Sequence, residues 1–329
     1  MYEDFFGLNE RPFDLAPNPR FLYMTGRQWE ALSNLRYGLT TPRGFTLLLG
    51  EAGTGKTTLI QAALAELEPE SVKCLVLNNP TLNRDEFIEF LADGFELSAE
   101  SRQSKTRFLI ELREHLQTRH KAGQLCALVL DEAQSLPYEL MEEVRLLSNT
   151  EAASHKLLNV VLAGQPELAD RLNEPELRQL KQRISLRCEL GPLDFRETAA
   201  YIAGRLKIAG GNPAEIFSRE AVGAIHEASR GVPRVINVVC DNALIGGFAT
   251  QARPVPRSIV LEVTRDFDLG GASVARATPT NSKPPGELLR SVPLSTLQPS
   301  VNEADEPASD DENTEALGLY RRGPLSILK

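Results

Sequence analysis

The chain has 329 residues, 42% hydrophobic and 25% charged, which suits a globular protein of about two domains. No apolar run approaches the roughly 18–20 residues that a membrane-crossing helix needs. The opening MYEDFFGLNERPF carries acids and a proline where a secretory leader carries basic residues and an apolar core, so the expected compartment is the cytoplasm.

A net charge of −9 argues against a protein whose main task is to hold nucleic acid, although it leaves room for a local basic patch. Cys74, Cys126, Cys188 and Cys240 lie far apart, each among apolar residues and without metal-ligand spacing. They read as buried free thiols.

Residues 1–270 alternate strand and helix signals. Apolar runs at 45–49, 72–77, 125–130, 157–163 and 184–190 predict strands, and the patterns at 55–68, 84–97 and 104–121 predict helices between them. That alternation predicts an α/β fold, a five-stranded parallel sheet covered by helices on both faces. After residue 192 the strand signals stop. Helical periodicity at 194–209, 218–229, 233–248 and 256–267 predicts a small all-helical lid. The expected domains are 1–192, including an N-terminal segment 1–24, and 193–270. From residue 271 the chain turns rich in Pro, Ser, Thr and acids, and 271–329 is expected to be disordered. The final LGLYRRGPLSILK regroups apolar residues around two arginines, which reads as a frayed end or as a docking peptide at 317–329.

The stretch FTLLLGEAGTGKTTLIQAAL is strand, glycine loop and helix in that order. Gly50, Glu51, Ala52, Gly53, Thr54, Gly55, Lys56 and Thr57 complete the phosphate-loop pattern, and Thr58 continues it into the helix. Its backbone N–H groups and the helix N-terminus suit phosphate. Lys56 is expected to reach the terminal phosphates and the Thr57 hydroxyl to ligate Mg2+. The strand LCALVL ends in Asp131 and Glu132, at the edge where open α/β sheets bind ligands. Asp131 is expected to hold Mg2+ through its water shell, and Glu132 to orient and polarise the attacking water, which marks a hydrolase. There is no Asn-Lys-x-Asp guanine-reading pattern, which favours ATP over GTP.

Three further polar residues follow. Gln165 ends the strand LLNVVLAG and either hydrogen-bonds water or γ-phosphate or is a loop glutamine. Arg183 stands just before the fifth strand, too far from its own phosphates to act on them; it suits a neighbour's site or a surface salt bridge, with Arg178 and Arg187 as competitors. In GVPRVIN, Pro233 sets Arg234 in the first turn of a helix, facing the positive end of the helix dipole. That placement typically costs a few tenths of a kcal/mol unless an anion sits opposite. A lid closing on γ-phosphate would supply one, so Arg234 could report ATP against ADP.

Together these features resemble an AAA+ ATPase, and more narrowly the general secretion pathway protein A family with its pilus, exosortase and exopolysaccharide-system relatives. The resemblance runs over about residues 1–268 and is carried by YEDFFGLNERPFDLAPNPRFLY, GEAGTGKTTL, LVLDEAQSLP, VVLAGQPEL, LKQRI and GVPRVIN. It implies that Gln165 is sensor 1, Arg183 an arginine finger acting in trans within a homo-oligomer, and Arg234 sensor 2. It also implies that the N-terminal segment packs near the adenine, with Phe13 or neighbouring backbone as candidates. The implied function is Mg-dependent ATP hydrolysis driving an envelope assembly, secretion or polysaccharide export partner. A DNA-associated helper ATPase of the transposition target-selection type is the alternative, and a non-hydrolysing ATP-binding scaffold is a third.

Overall fold

The computed structural model describes residues 1–269 apart from residues 17, 22, 69, 79–80 and 153–154. The tail at 271–329 and the docking peptide at 317–329 lie outside the described residues. In chain order the elements begin with α1 (Tyr2–Phe6), α2 (Gly26–Thr40), β1 (Phe45–Gly50), α3 (Lys56–Ala65) and β2 (Val72–Leu77). There follow α4 (Arg84–Gly94), α5 (Lys105–Lys121), β3 (Leu125–Leu130), α6 (Tyr138–Leu147) and the two-residue strands β4 (Glu151–Ala152) and β5 (His155–Lys156). Then come β6 (Leu158–Gly164), α7 (Pro166–Leu172), α8 (Arg178–Lys181) and β7 (Ile184–Leu190). The last are α9 (Phe195–Ile208), α10 (Pro213–Ile216), α11 (Arg219–Ser229), α12 (Pro233–Ala249) and α13 (Arg257–Asp266).

The central sheet has the order β2-β3-β6-β1-β7, and every pairing is parallel. All six residues of β1 and all seven of β6 are buried, as strands covered on both faces must be. One face sets Leu47, Leu49, Leu128 and Leu162 against Phe87 of α4, Leu112 of α5 and Val144 of α6. The other sets Leu48, Val129 and Val161 against Leu35 of α2 and Leu59 of α3. Each large side chain so buried contributes about 1.5–3 kcal/mol. The register aligns Leu49 with Gly164, Gly50 with Leu190, and Leu130 with Leu162. The segments after Gly50, Leu130 and Gly164 therefore leave from the same carboxyl edge.

Side-chain caps set the starts of several helices. Thr25 and Gln28, Asn83 and Glu86, and Asp194 and Glu197 form reciprocal capping boxes at α2, α4 and α9. Helices α9–α13 enclose a second core containing Ile202, Ile225, Ile236 and Val260. Tyr2, Phe6, Phe13 and Phe21 of the N-terminal segment belong to that same core. The segment grouped with the α/β domain in 1–192 thus packs with the helical layer, because its aromatic residues are the partners that α9 and α12 bury.

Candidate functional site

The phosphate loop folds as its glycines require. Gly53 (φ 83°) and Gly55 (φ 101°) take left-handed backbone that a side chain disfavours. A Cβ on Gly50 would stand 2.7 Å from Thr54 Oγ1 and 2.8 Å from the Leu190 carbonyl. Thr54 Oγ1 closes the loop by donating to the Glu51 carbonyl at 2.8 Å. Gly55 caps α3 without a side-chain acceptor, which leaves the first-turn N–H groups to serve an anion.

Lys56 is the first residue of α3 and is buried. Its Nζ donates to the carbonyls of Gly50 at 2.8 Å and Glu51 at 3.2 Å. Burial pushes its ammonium below the ordinary lysine range, and Glu132 and Asp131 partly offset that. The ammonium is therefore held at the loop by two weak neutral acceptors, a poor substitute for phosphate oxygens. Beside it Thr57 Oγ1 donates to Asp131 Oδ2 at 2.7 Å, and Asp131 Oδ1 accepts the Glu132 N–H at 2.9 Å. A hydroxyl and a carboxylate in contact are hard oxygen donors of the kind Mg2+ takes with phosphate and water, so the residues fit the ion.

Glu132 follows β3 in left-handed backbone, φ 53° and ψ 38°, and turns into the 3-10 turn Ala133–Ser135. Its Oε2 accepts Gln134 Nε2 at 2.6 Å and Gln165 Nε2 at 3.4 Å. Gln165 is thus brought to Glu132. Arg234 enters from the helical layer. The turn before it uses Arg230 (φ 50°) and Gly231 (φ 77°), and the Gly231 carbonyl accepts the Leu193 N–H at 2.8 Å. The Arg234 backbone N–H then donates to the Gly53 carbonyl at 3.1 Å. Gly53, Lys56, Thr57, Glu132 and Arg234 line one cavity.

Arg183 is not part of that cavity. It precedes β7, and its Nη1 donates to the Arg145 carbonyl at 2.9 Å, to Ser148 Oγ at 3.1 Å and to Asn149 Oδ1. These groups lie at the C-terminal end of α6, where a cation is favourable. Of its competitors, Arg187 faces Glu189 across 3.8 Å at the surface.

The cavity's far end was not legible in the sequence. Asp14, Ala16, Asn18 and Phe21 meet Tyr201, Arg205 and Asn237 there. Arg205 is buried and donates Nε to the Pro12 carbonyl at 2.5 Å and Nη1 to Tyr201 Oη at 2.9 Å. Its guanidinium lies 4.8 Å from the Phe21 ring centroid and 5.3 Å from that of Tyr201. Tyr201 Oη donates in turn to Asn237 Oδ1 at 2.8 Å. The available signal was an arginine four residues after a tyrosine on the apolar face of one helix. Phe13, the aromatic candidate for this end, instead packs edge-on to Phe217 in the helical core, so its neighbours rather than its ring face the cavity.

Comparison with known proteins agrees with this architecture. Residues 39–172 match the family model described as an AAA domain. General secretion pathway protein A of Aeromonas hydrophila is 44% identical over 256 residues, which cover 78% of this chain and 46% of that protein. The chain therefore spans about half the length of this curated relative. Among solved structures, the ORC2 protein of Aeropyrum pernix superposes with a TM-score of 0.60 at 17% identity, covering 78% of this chain and 72% of that one. Cdc6p of Pyrobaculum aerophilum gives 0.60 at 18%, covering 75% and 70%. At such identities these two structures speak to the fold alone.

Proposed function

We propose that this chain, which belongs to the AAA+ ATPases and is related to general secretion pathway protein A, hydrolyses ATP with Mg2+ and uses the cycle to move a partner of a secretion or envelope assembly system. The observation that carries the reading is the hydrogen bond from Thr57 to the buried Asp131, where Thr57 lines a cavity with Lys56, Glu132 and Arg234.

In this reading Lys56 leaves the Gly50 and Glu51 carbonyls for the terminal phosphates. Glu132 takes a proton from the water that attacks the γ-phosphorus, and the bond to the bridging oxygen of ADP breaks. Thr57 and Asp131 would hold Mg2+, which when bound neutralises charge on the phosphate oxygens. Arg234 meets the γ-phosphate from the helical layer, and Gln165 steadies Glu132 or the water as sensor 1. Tyr201, Arg205 and Asn237 with Asp14, Leu15, Ala16 and Asn18 form the base end. Arg183 acts on a neighbouring subunit of a homo-oligomer, exchanging its contacts at the end of α6 for the neighbour's phosphates. Lys56 on the loop carbonyls and the Thr57–Asp131–Glu132 contacts support the reading.

The test is phosphate release from ATP with and without Mg2+. Lys56→Ala should abolish turnover, and Glu132→Gln should bind ATP without turning it over. Wild-type turnover by Glu132→Gln would sink the mechanism. Mixing Arg183→Ala with Lys56→Ala subunits should restore part of the activity if the arginine works in trans, and no rescue at any ratio refutes that part.

A further inference from the structure

Two residues beyond Glu132, Gln134 is engaged at both ends of its amide. Its Oε1 accepts the Gln165 backbone N–H at 3.1 Å, and its Nε2 donates to Glu132 Oε2 at 2.6 Å. The first contact dictates the second. A backbone N–H can only donate, so the amide oxygen must face Gln165 and the NH2 must face the carboxylate. The main chain of Gln134 is held as well, because Arg171 of α7 donates Nη1 to its carbonyl. That guanidinium lies in turn over the Tyr138 ring, 4.7 Å from its centroid. Room for the amide comes from Gly164, where a Cβ would stand 2.8 Å from Gln134 Oε1.

We propose that Gln134 is the positioning residue for Glu132, an inference that rests on the reading of Glu132 as the base. The amide donors of Gln134 and Gln165 both converge on Oε2. No hydrogen bond from a described residue reaches Oε1, so in this proposal Oε1 is the oxygen that takes the water's proton. The need for such a hold follows from the local backbone. Glu132 sits in left-handed conformation at the start of a short turn, with three side-chain torsions between its backbone and the carboxylate. Unheld, the carboxylate spreads over several rotamers, and a base displaced by about 1 Å can lose on the order of a hundredfold in rate. Gln134 fixes the carboxylate from outside the lining of the cavity that Glu132 faces.

A purely structural role makes a different prediction. If Gln134 only clips its turn to Gln165, then Gln134→Glu is harmless, since a carboxylate still accepts the Gln165 N–H. If it positions Glu132, the same change replaces the donor with an oxygen that repels the carboxylate. Steady-state ATPase measurements on the full chain with Mg2+ should then show kcat lowered by about tenfold or more in Gln134→Glu. KM for ATP and the melting temperature should stay close to wild type. Gln134→Met keeps the side-chain length but removes the donor without adding charge, so it should lower kcat in the same sense and covers the case in which Gln134→Glu fails to fold. Wild-type kcat in either folded variant overturns the proposal. Glu132→Gln measured alongside separates the two failures. If it is inactive while Gln134→Glu is fully active, only the positioning role falls; if it is active, the reading of Glu132 falls and takes this inference with it.

Discussion

The two ends of the cavity are built in opposite ways. At the phosphate end, Gly50–Thr57 and Asp131–Glu132 are short runs leaving β1 and β3, the two strands that flank β6, and their polar groups come from the backbone or from side chains a few bonds away. At the base end, Pro12, Phe21, Tyr201, Arg205 and Asn237 come from three segments up to 225 residues apart. Lys56 rests on carbonyls that it can exchange for a stronger ligand. Arg205 is enclosed by a carbonyl, a hydroxyl and two rings. Chemistry is thus concentrated where the chain is local, and the tertiary lock that ties the N-terminal segment to the helical layer sits where it is not. The Arg234 N–H on the Gly53 carbonyl ties the helical layer to the phosphate loop.

The largest effect that tests this contrast is at the phosphate end. Lys56→Ala should lower turnover by more than about a hundredfold, the scale of losing a preorganised charge at the transferred group. Its melting temperature should stay near wild type, because the buried ammonium rests on neutral acceptors and burial already disfavours its charge. A variant that melts early would show that Lys56 holds the loop together, and the contrast would fail. Arg234→Ala comes next, with turnover lowered by about tenfold to a hundredfold. Its link to Gly53 is made by the backbone and survives the change, so the fold should remain intact. If Arg234→Ala unfolds instead, the arginine is structural.

The reverse pattern is expected at the base end. Arg205→Met keeps the apolar stem but leaves the Pro12 carbonyl without its donor and removes the stacking on Phe21. Unpaired buried polar groups and lost cation–π contact together cost about 2–4 kcal/mol. Urea unfolding should register that loss. Turnover at saturating ATP, measured well below the melting transition, should fall only a few fold. Retained stability with abolished turnover would invert the comparison and make Arg205 part of the chemistry.

This division also governs what could be read in the sequence. The five strands were legible because continuous apolar runs such as FTLLLG and LCALVL are local signals, and they match β1 and β3 closely. The phosphate loop was legible because its glycine spacing is itself the geometry. Helix α2 was passed over: its stretch GRQWEALSNLRYGLT mixes arginines and glycines into the apolar stripe of Leu32, Leu35 and Leu39. Tyr201, Arg205 and Asn237 could not be assigned, since nothing in their own segments says that Pro12 and Phe21 will arrive beside them. Gln134 was visible within DEAQ, but its aim at Glu132 depends on the left-handed turn at Glu132 and on the Gln165 N–H. Arg183 stands apart from its own cavity, and its partners at the end of α6 follow only from the packing that brings the turn before β7 to α6.

The smallest expected effect is the most local probe of the two ends. Cys188 lies on β7 in the core of one sheet face, and Cys240 lies on α12 in the core that the N-terminal segment shares with the helical layer. Burial pushes both thiols upward from the ordinary cysteine range, Cys240 the more strongly. Since the thiolate is the reactive form, both should resist an alkylating reagent at pH 8 in the native protein. Arg205 stands close enough to Cys240 to favour its thiolate electrostatically, so losing that charge alone would make Cys240 slower to react. Arg205→Met should nevertheless make Cys240 react several-fold faster, because opening of the N-terminal segment exposes α12. Cys188 should not change. The two influences on Cys240 have opposite signs, so the direction of the change, read by mass spectrometry of the labelled peptides, decides between a purely electrostatic Arg205 and one that locks the N-terminal segment in place.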